Sequence, residues 1–130
     1  DMAYYSFLNS LKNNKIIKVF NNGNMVRDFT YIDDVIDGIL NVIKAKFANM
    51  HEVLNVGKGN PDKLMDLINF LEKNYSKKFK INFTKNIPLG DIKKTYSNVN
   101  KAKKIISWKP KTTLKAGIEK FVKWYKFNNI

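Results

Sequence analysis

Apolar residues recur at helical spacing at Tyr4, Phe7, Leu8 and Leu11, which predicts a helix over residues 2–12 with Asp1 as its cap. "KNNK" ends it. "IIKVF" (Ile16 to Phe20) is β-branched and aromatic and predicts a strand, "NNGN" a turn, and "RDFTYI" a second short strand. The two strands are expected to pair as a hairpin, although their connection is longer than the usual two residues. Val35, Ile36, Ile39, Leu40, Val42, Ile43 and Phe47 then give a helix with a broad apolar face, opened by Asp33 and Asp34 at its positive N-terminal end. "EVLNVG" reads as a buried strand stopped by Gly57. Asn60-Pro61-Asp62 reads as a helix start, with Leu64, Leu67, Ile68 and Leu71 facing inward. "FKINFT" is a further strand and "NIPLGDIKKTYSN" a loop. Asn98 is placed to cap a helix over 99–106, closed by Trp108 and "KPK". A last helix starts at Thr112 or Thr113 and aligns Leu114, Ile118, Phe121, Val122 and Tyr125 on one side.

This alternation is an α/β pattern without internal repeat, linker or low-complexity segment. "EVLNVG" is apolar on both faces, which suits a strand inside a covered parallel sheet. The chain offers few strands to stand beside it, so its sheet is expected in an upstream part. The first residue is Asp rather than Met, which reads as a fragment or a processed chain.

Composition narrows the partners. The 130 residues suffice for one domain with a core, and 44% hydrophobic content argues against disorder. The absence of cysteine excludes disulfides and Cys-based zinc sites and fits a reducing, cytoplasmic setting. No apolar run approaches the roughly 20 residues of a membrane span, and no signal peptide opens the chain. The net charge of +13 points first to nucleic acid. However, the lysines are scattered, and the heavy use of Lys, Asn and Ile looks like a coding bias. Neither a nucleic-acid nor a membrane partner is expected.

Asp33, Asp34 and Asp37 are the densest acidic cluster. Neighbouring helical residues point about 100° apart, so an acidic first turn fits better than a metal site or a general-base pair. "VGKGNPDK" has two glycines but neither a third nor a Walker ending, and reads as a strand-to-helix turn. His51, the single histidine, has no neighbouring nucleophile or metal partner, and no G-x-S-x-G elbow exists. Arg27 is the single arginine in a lysine-rich chain. Its planar fork grips a phosphate or carboxylate as lysine cannot. A salt bridge to Asp28, Asp33 or another carboxylate explains it equally well, and the residues alone leave both readings open.

"DMAYYSFLNSL", "VRDFTYIDDVIDGI", "LNVGKGNPDKLMDLINFLEK" and "GDIKKTYSNVNKAKKIISWKPKTTLKAGIEKFVKWY" together resemble the C-terminal part of the extended short-chain dehydrogenase/reductases. Within that group they look most like the NAD-dependent nucleotide-sugar epimerases of the UDP-glucuronate 4-epimerase type. The resemblance implies that residues 1–130 are the substrate-binding portion of an enzyme. Its Rossmann domain, NAD and catalytic Tyr-x-x-x-Lys pair would lie upstream, and "VLNVG" would complete the Rossmann sheet. It implies that Arg27 contacts the nucleotide's phosphate and that Asp91 binds the ribose hydroxyls. Val19 and Phe20 would lie along the uracil, and Asn55 near the nucleotide. Relatives usually hold Arg or Gln three residues before that aspartate, followed by Pro. Here Pro88 and Leu89 leave a second phosphate or ribose contact without its residue. Asn98 replaces the capping Asp of the family's "Y-A-D".

No catalytic, cofactor-binding or metal residue is expected in this chain. The implied partners are a UDP-sugar and, for the complete enzyme, a second copy in a homodimer. A sister dehydratase or decarboxylase is the nearest alternative activity. A non-catalytic basic module for nucleic acid or another anion is the alternative of a different kind.

Overall fold

A computed structural model describes residues 2–128. Three helices bury the faces that their periodicity assigns. Leu8 and Leu11 of α1 (Ala3–Lys12) meet Leu67 and Leu71 of α3 (Leu64–Tyr75) and Leu114, Ile118, Val122 and Tyr125 of α5 (Leu114–Phe127). Each such side chain removed from water contributes roughly 1.5–3 kcal/mol. Thr113 caps α5 by accepting from the Ala116 amide at 3.2 Å. Asp1, expected to cap α1, lies outside the described residues.

β1 (Ile16–Val19) alternates as the period-2 rule demands, with Ile17 and Val19 buried against Ile68. It does not form the expected hairpin. It pairs in parallel with β4 (Lys80–Phe83) in the register Ile17↔Ile81 and Val19↔Phe83. A 3-10 turn at Asn21–Gly23 explains the difference. Asn21, Asn22 and Gly23 all take positive φ and swing the chain out of the sheet, and a side chain at Gly23 would strike Met65. β2 (Val26–Arg27) then pairs antiparallel with β3 (Asp62–Lys63), Arg27 opposite Asp62. That pairing also corrects the expected helix start at Asn60. Asp62 and Lys63 stay extended against β2, the Leu64 amide donates to the Met25 carbonyl at 2.8 Å, and α3 begins there.

α2 (Ile32–Lys44) forms where the sequence predicts but ends before Phe47, which was expected on its face, and much of that apolar face is not core. Asp34 and Gly38 are buried, whereas Ile36, Ile39, Leu40 and Ile43 are exposed. The covered side meets α4 (Asn100–Ile106) and Trp108. Residues 51–57 form no strand among the described residues. Leu54 and Val56 pack into the cluster of Ala102, Ile106 and Trp108, while Val53 is exposed. The segment is apolar on both faces, as expected, but only one face is covered here.

Candidate functional site

The loop between β4 and α4 is long and irregular, yet its second half is fastened to β2 at every other residue. The Val26 amide donates to the Lys93 carbonyl at 2.9 Å, and the Thr95 amide donates to the Val26 carbonyl at 3.1 Å. The Asp28 amide donates to Thr95 Oγ1 at 2.9 Å. Arg27 completes the seam. Its Nη1 donates to the carbonyls of Val26 at 2.9 Å and Lys93 at 3.3 Å, and its Nη2 donates to Asp91 Oδ1 at 2.7 Å. Two residues 64 positions apart, each singled out in the sequence, thus form one ion pair.

The pair is unsaturated. Nη1 is used twice and Nη2 once, so among the described residues Nε and one Nη2 proton have no acceptor. Asp91 Oδ1 also accepts from the Ile92 amide at 2.8 Å, and Oδ2 makes no bond among the described residues. Both side chains keep access to solvent, Arg27 at 21% and Asp91 at 40% exposure. The rim therefore presents free donors beside a free acceptor. That combination suits an oxyanion next to a hydroxyl.

The other sequence candidates are less closely joined to it. Val19 is fully buried and its carbonyl accepts from the Thr84 amide, so its side chain is core rather than a ligand surface. Phe20 is half-buried beneath the Lys18 ammonium, 5.2 Å from its ring centre. Asn55 is exposed, and its side-chain amide donates to the Asn98 carbonyl at 3.3 Å. Of the acids on α2, Asp33 faces Lys120, Asp37 faces Lys111, and buried Asp34 accepts from the Thr112 amide. They diverge, and no acidic or histidine group able to hold a metal exists among the described residues. His51 is exposed in a loop. Glu52 beside it has its carboxyl held below the usual value by hydrogen bonds from Lys101 and Asn49.

Sequence reasoning passed over Asp28 except as an ion-pair partner of Arg27. Asp28 instead accepts backbone amides, from Gly59 at 3.0 Å and Ser97 at 2.9 Å. The available signal was an acid set in an aromatic strand, where a charge has to find donors. A cavity of about 480 Å³ lies among Asp28, Phe29, Tyr31, Val35, Leu114 and Phe121. Its lining is mostly apolar and includes neither Arg27 nor Asp91.

The sequence profile of the family described as GDP-mannose 4,6 dehydratase matches residues 5–121. The chain belongs to this family, the nucleotide-sugar epimerases and dehydratases of the extended short-chain dehydrogenase/reductases. Its residues correspond to the C-terminal portion of such enzymes. An uncharacterised protein of Methanocaldococcus jannaschii is 43% identical over 127 residues, covering 96% of this chain and 37% of that protein. The UDP-glucuronate 4-epimerase 2 of Arabidopsis thaliana is 35% identical over 139 residues, covering 96% of this chain and 32% of that enzyme. The crystal structure of the Bacillus cereus UDP-glucuronic acid 4-epimerase in complex with UDP-glucuronic acid and NAD superposes with a TM-score of 0.88 at 32% identity, over 98% of this chain and 40% of that one. This chain thus spans under half the length of the relatives it matches.

Enzymes of this epimerase and dehydratase family use NAD. In the one glycine-flanked turn, Gly57-Lys58-Gly59, the Lys58 amide donates to Thr30 Oγ1 and the Gly59 amide to Asp28. The Lys58 ammonium is paired with Asp62. Amides committed to internal acceptors cannot wrap a pyrophosphate.

Proposed function

We propose that this chain holds the UDP moiety of a nucleotide sugar in an NAD-dependent 4-epimerase that interconverts UDP-glucuronate and UDP-galacturonate. The observation that carries this reading is the Arg27–Asp91 pair with its free donors and free carboxylate oxygen. Arg27 Nε and Nη2 would take a phosphate oxygen in a planar fork, and Asp91 Oδ2 would accept from the ribose. Phe20 and the backbone beside it would line the base, with Asn55 further along the nucleotide. NAD, when bound elsewhere in the full-length protein, supplies the hydride acceptor and donor. The task of the present residues is positioning. Contacts to the remote UDP hold the sugar in register with the reacting groups and lower the entropic cost of the encounter.

The similarity to relatives named UDP-glucuronate 4-epimerase supports this choice of sugar. The exposed stripe of Ile36, Ile39 and Ile43 and the unpaired segment 51–57 support a reading in which a Rossmann domain covers both.

Incubating the full-length protein with UDP-glucuronate should yield UDP-galacturonate, resolved by chromatography of the sugar nucleotides. Residues 1–130 alone, with NAD added, should give no turnover. A product lighter by one water would favour the second reading, a sister dehydratase, which the name of the matching family profile suggests.

A further inference from the structure

The dipeptide Arg27-Asp28 sends its two side chains to opposite ends of one segment. Arg27 reaches Asp91 and Lys93, while Asp28 reaches Ser97. The same Asp28 oxygen, Oδ2, that accepts from the Ser97 amide at 2.9 Å also accepts from the Gly59 amide at 3.0 Å. Three stretches of chain therefore meet on one carboxylate oxygen: the exit of β2, the turn at 57–59 and the segment that carries Asp91. They meet tightly, since a Cβ on Gly57 would fall 2.5 Å from Ser97 Cβ. The remaining oxygen, Oδ1, is buried with no hydrogen-bond partner among the described residues.

The geometry points to Asp28 as a positioning residue for the nucleotide rim. By fixing the Ser97 and Gly59 amides, it sets the path of residues 91–97 and so holds Asp91 at the distance Arg27 needs. This rests on the reading of Arg27 and Asp91 as nucleotide contacts. Asp28 does not line the rim itself and acts through the backbone. Both bonds are accepted by a single oxygen, so a side-chain amide can keep them with its carbonyl. An alanine cannot. A purely structural carboxylate would change the amount of folded protein without changing the affinity of what is folded.

The test is UDP binding by the full-length protein, measured calorimetrically at a temperature where circular dichroism shows each variant folded. Asp28→Ala should weaken UDP about tenfold, the scale of two lost hydrogen bonds. Asp28→Asn should recover most of that loss. Wild-type affinity in a folded Asp28→Ala protein, or an Asp28→Asn protein as weak as the alanine variant, overturns the inference. Should Asp28→Ala not fold, Thr95→Val removes the hydroxyl that accepts from the Asp28 amide, and should weaken UDP by a few-fold. Unchanged affinity there also overturns it. Arg27→Ala and Asp91→Ala serve as controls. If both bind UDP normally, the nucleotide reading itself has failed. If they lose binding while Asp28→Ala keeps it, only the positioning role has.

Discussion

Arg27 Nη2 stands 2.7 Å from Asp91 Oδ1 across the seam between β2 and the loop that precedes α4. The contact joins the two explanations open for the arginine in the sequence. Arg27 is a structural ion-pair partner, and it retains an unused edge suited to a phosphate. A lysine ammonium has no planar fork with which to hold Val26, Lys93 and Asp91 while offering two parallel donors outward. Arg27→Lys in the full-length protein should therefore raise the dissociation constant for a UDP-sugar by about 10- to 100-fold. Lys63→Ala, which removes an exposed charge from β3, should change it by less than about twofold. Titration calorimetry on the two variants decides the matter, and equal affinities for Arg27→Lys and wild type would rule out the phosphate fork.

Tyr125 is 1% exposed in the helical core, and its hydroxyl has no hydrogen-bond partner among the described residues. Burial, with smaller contributions from Tyr5 and Tyr75, raises its ionisation above the ordinary tyrosine value of 10.0. A raised pKa in the folded state means that stability is fully present below the unfolded value. It is lost as pH rises through and beyond that value, because the unfolded chain releases the proton first. Tyr125→Phe should be neutral or stabilising by up to about 1 kcal/mol at pH 7. It should also flatten the alkaline decline in denaturant midpoint above about pH 10. A variant clearly less stable than wild type at neutral pH would reveal a partner for the hydroxyl.

The helical core was legible because its signal is local. The spacing of Leu114, Ile118, Val122 and Tyr125 fixes one face of α5 without reference to any other residue, and Thr113 announces its start. The expected hairpin does not form, for the opposite reason. "NNGN" signals a turn, but nothing nearby says that β1 will choose β4 and β2 will choose β3. "EVLNVG" (residues 52–57) reads as a strand because an apolar run does not say what covers it. Arg27 drew notice through its rarity, whereas Asp28 did not. Its partners are the amides of Gly59 and Ser97, and backbone donors leave no trace in a sequence.

Asp34 is the buried acid of α2, 4% exposed, and it anchors α2 to the approach to α5 through two bonds of different kinds. Its carboxylate accepts from the Thr112 amide at 2.9 Å, and its carbonyl accepts from the Trp108 indole at 2.9 Å. Asp34→Ala removes only the first and leaves the Thr112 amide without an acceptor in a part-buried place. The cost should be about 1–3 kcal/mol, read from chemical denaturation. Asp33→Ala, on an exposed neighbour paired loosely with Lys120 at 3.5 Å, should cost less than about 0.5 kcal/mol. Equal losses in the two variants would mean that helix-end electrostatics, rather than the Thr112 bond, sets the effect.

Gly57 and Ser97 test how tightly the segment carrying Asp91 is held. Gly57 does not need glycine for its φ, since its backbone lies outside the positive-φ set, so the constraint is purely one of space. An added methyl would meet Ser97 Cβ at 2.5 Å and Oγ at 2.6 Å; the hydroxyl can rotate away about χ1, but Cβ is fixed to the backbone and cannot. Gly57→Ala should therefore displace residues 95–98 and cost about 1–3 kcal/mol of stability. Its UDP affinity should fall as well, because the displaced segment continues into Asp91. Ser97→Gly removes the opposing atoms but keeps the amide that Asp28 accepts. Combined with Gly57→Ala it should restore both properties, giving a double-mutant coupling of opposite sign to the single loss. If the double variant stays as weak as Gly57→Ala alone, the obstruction lies elsewhere. The nearest remaining candidate is then Asp28 Oδ2, at 3.3 Å from the same added carbon.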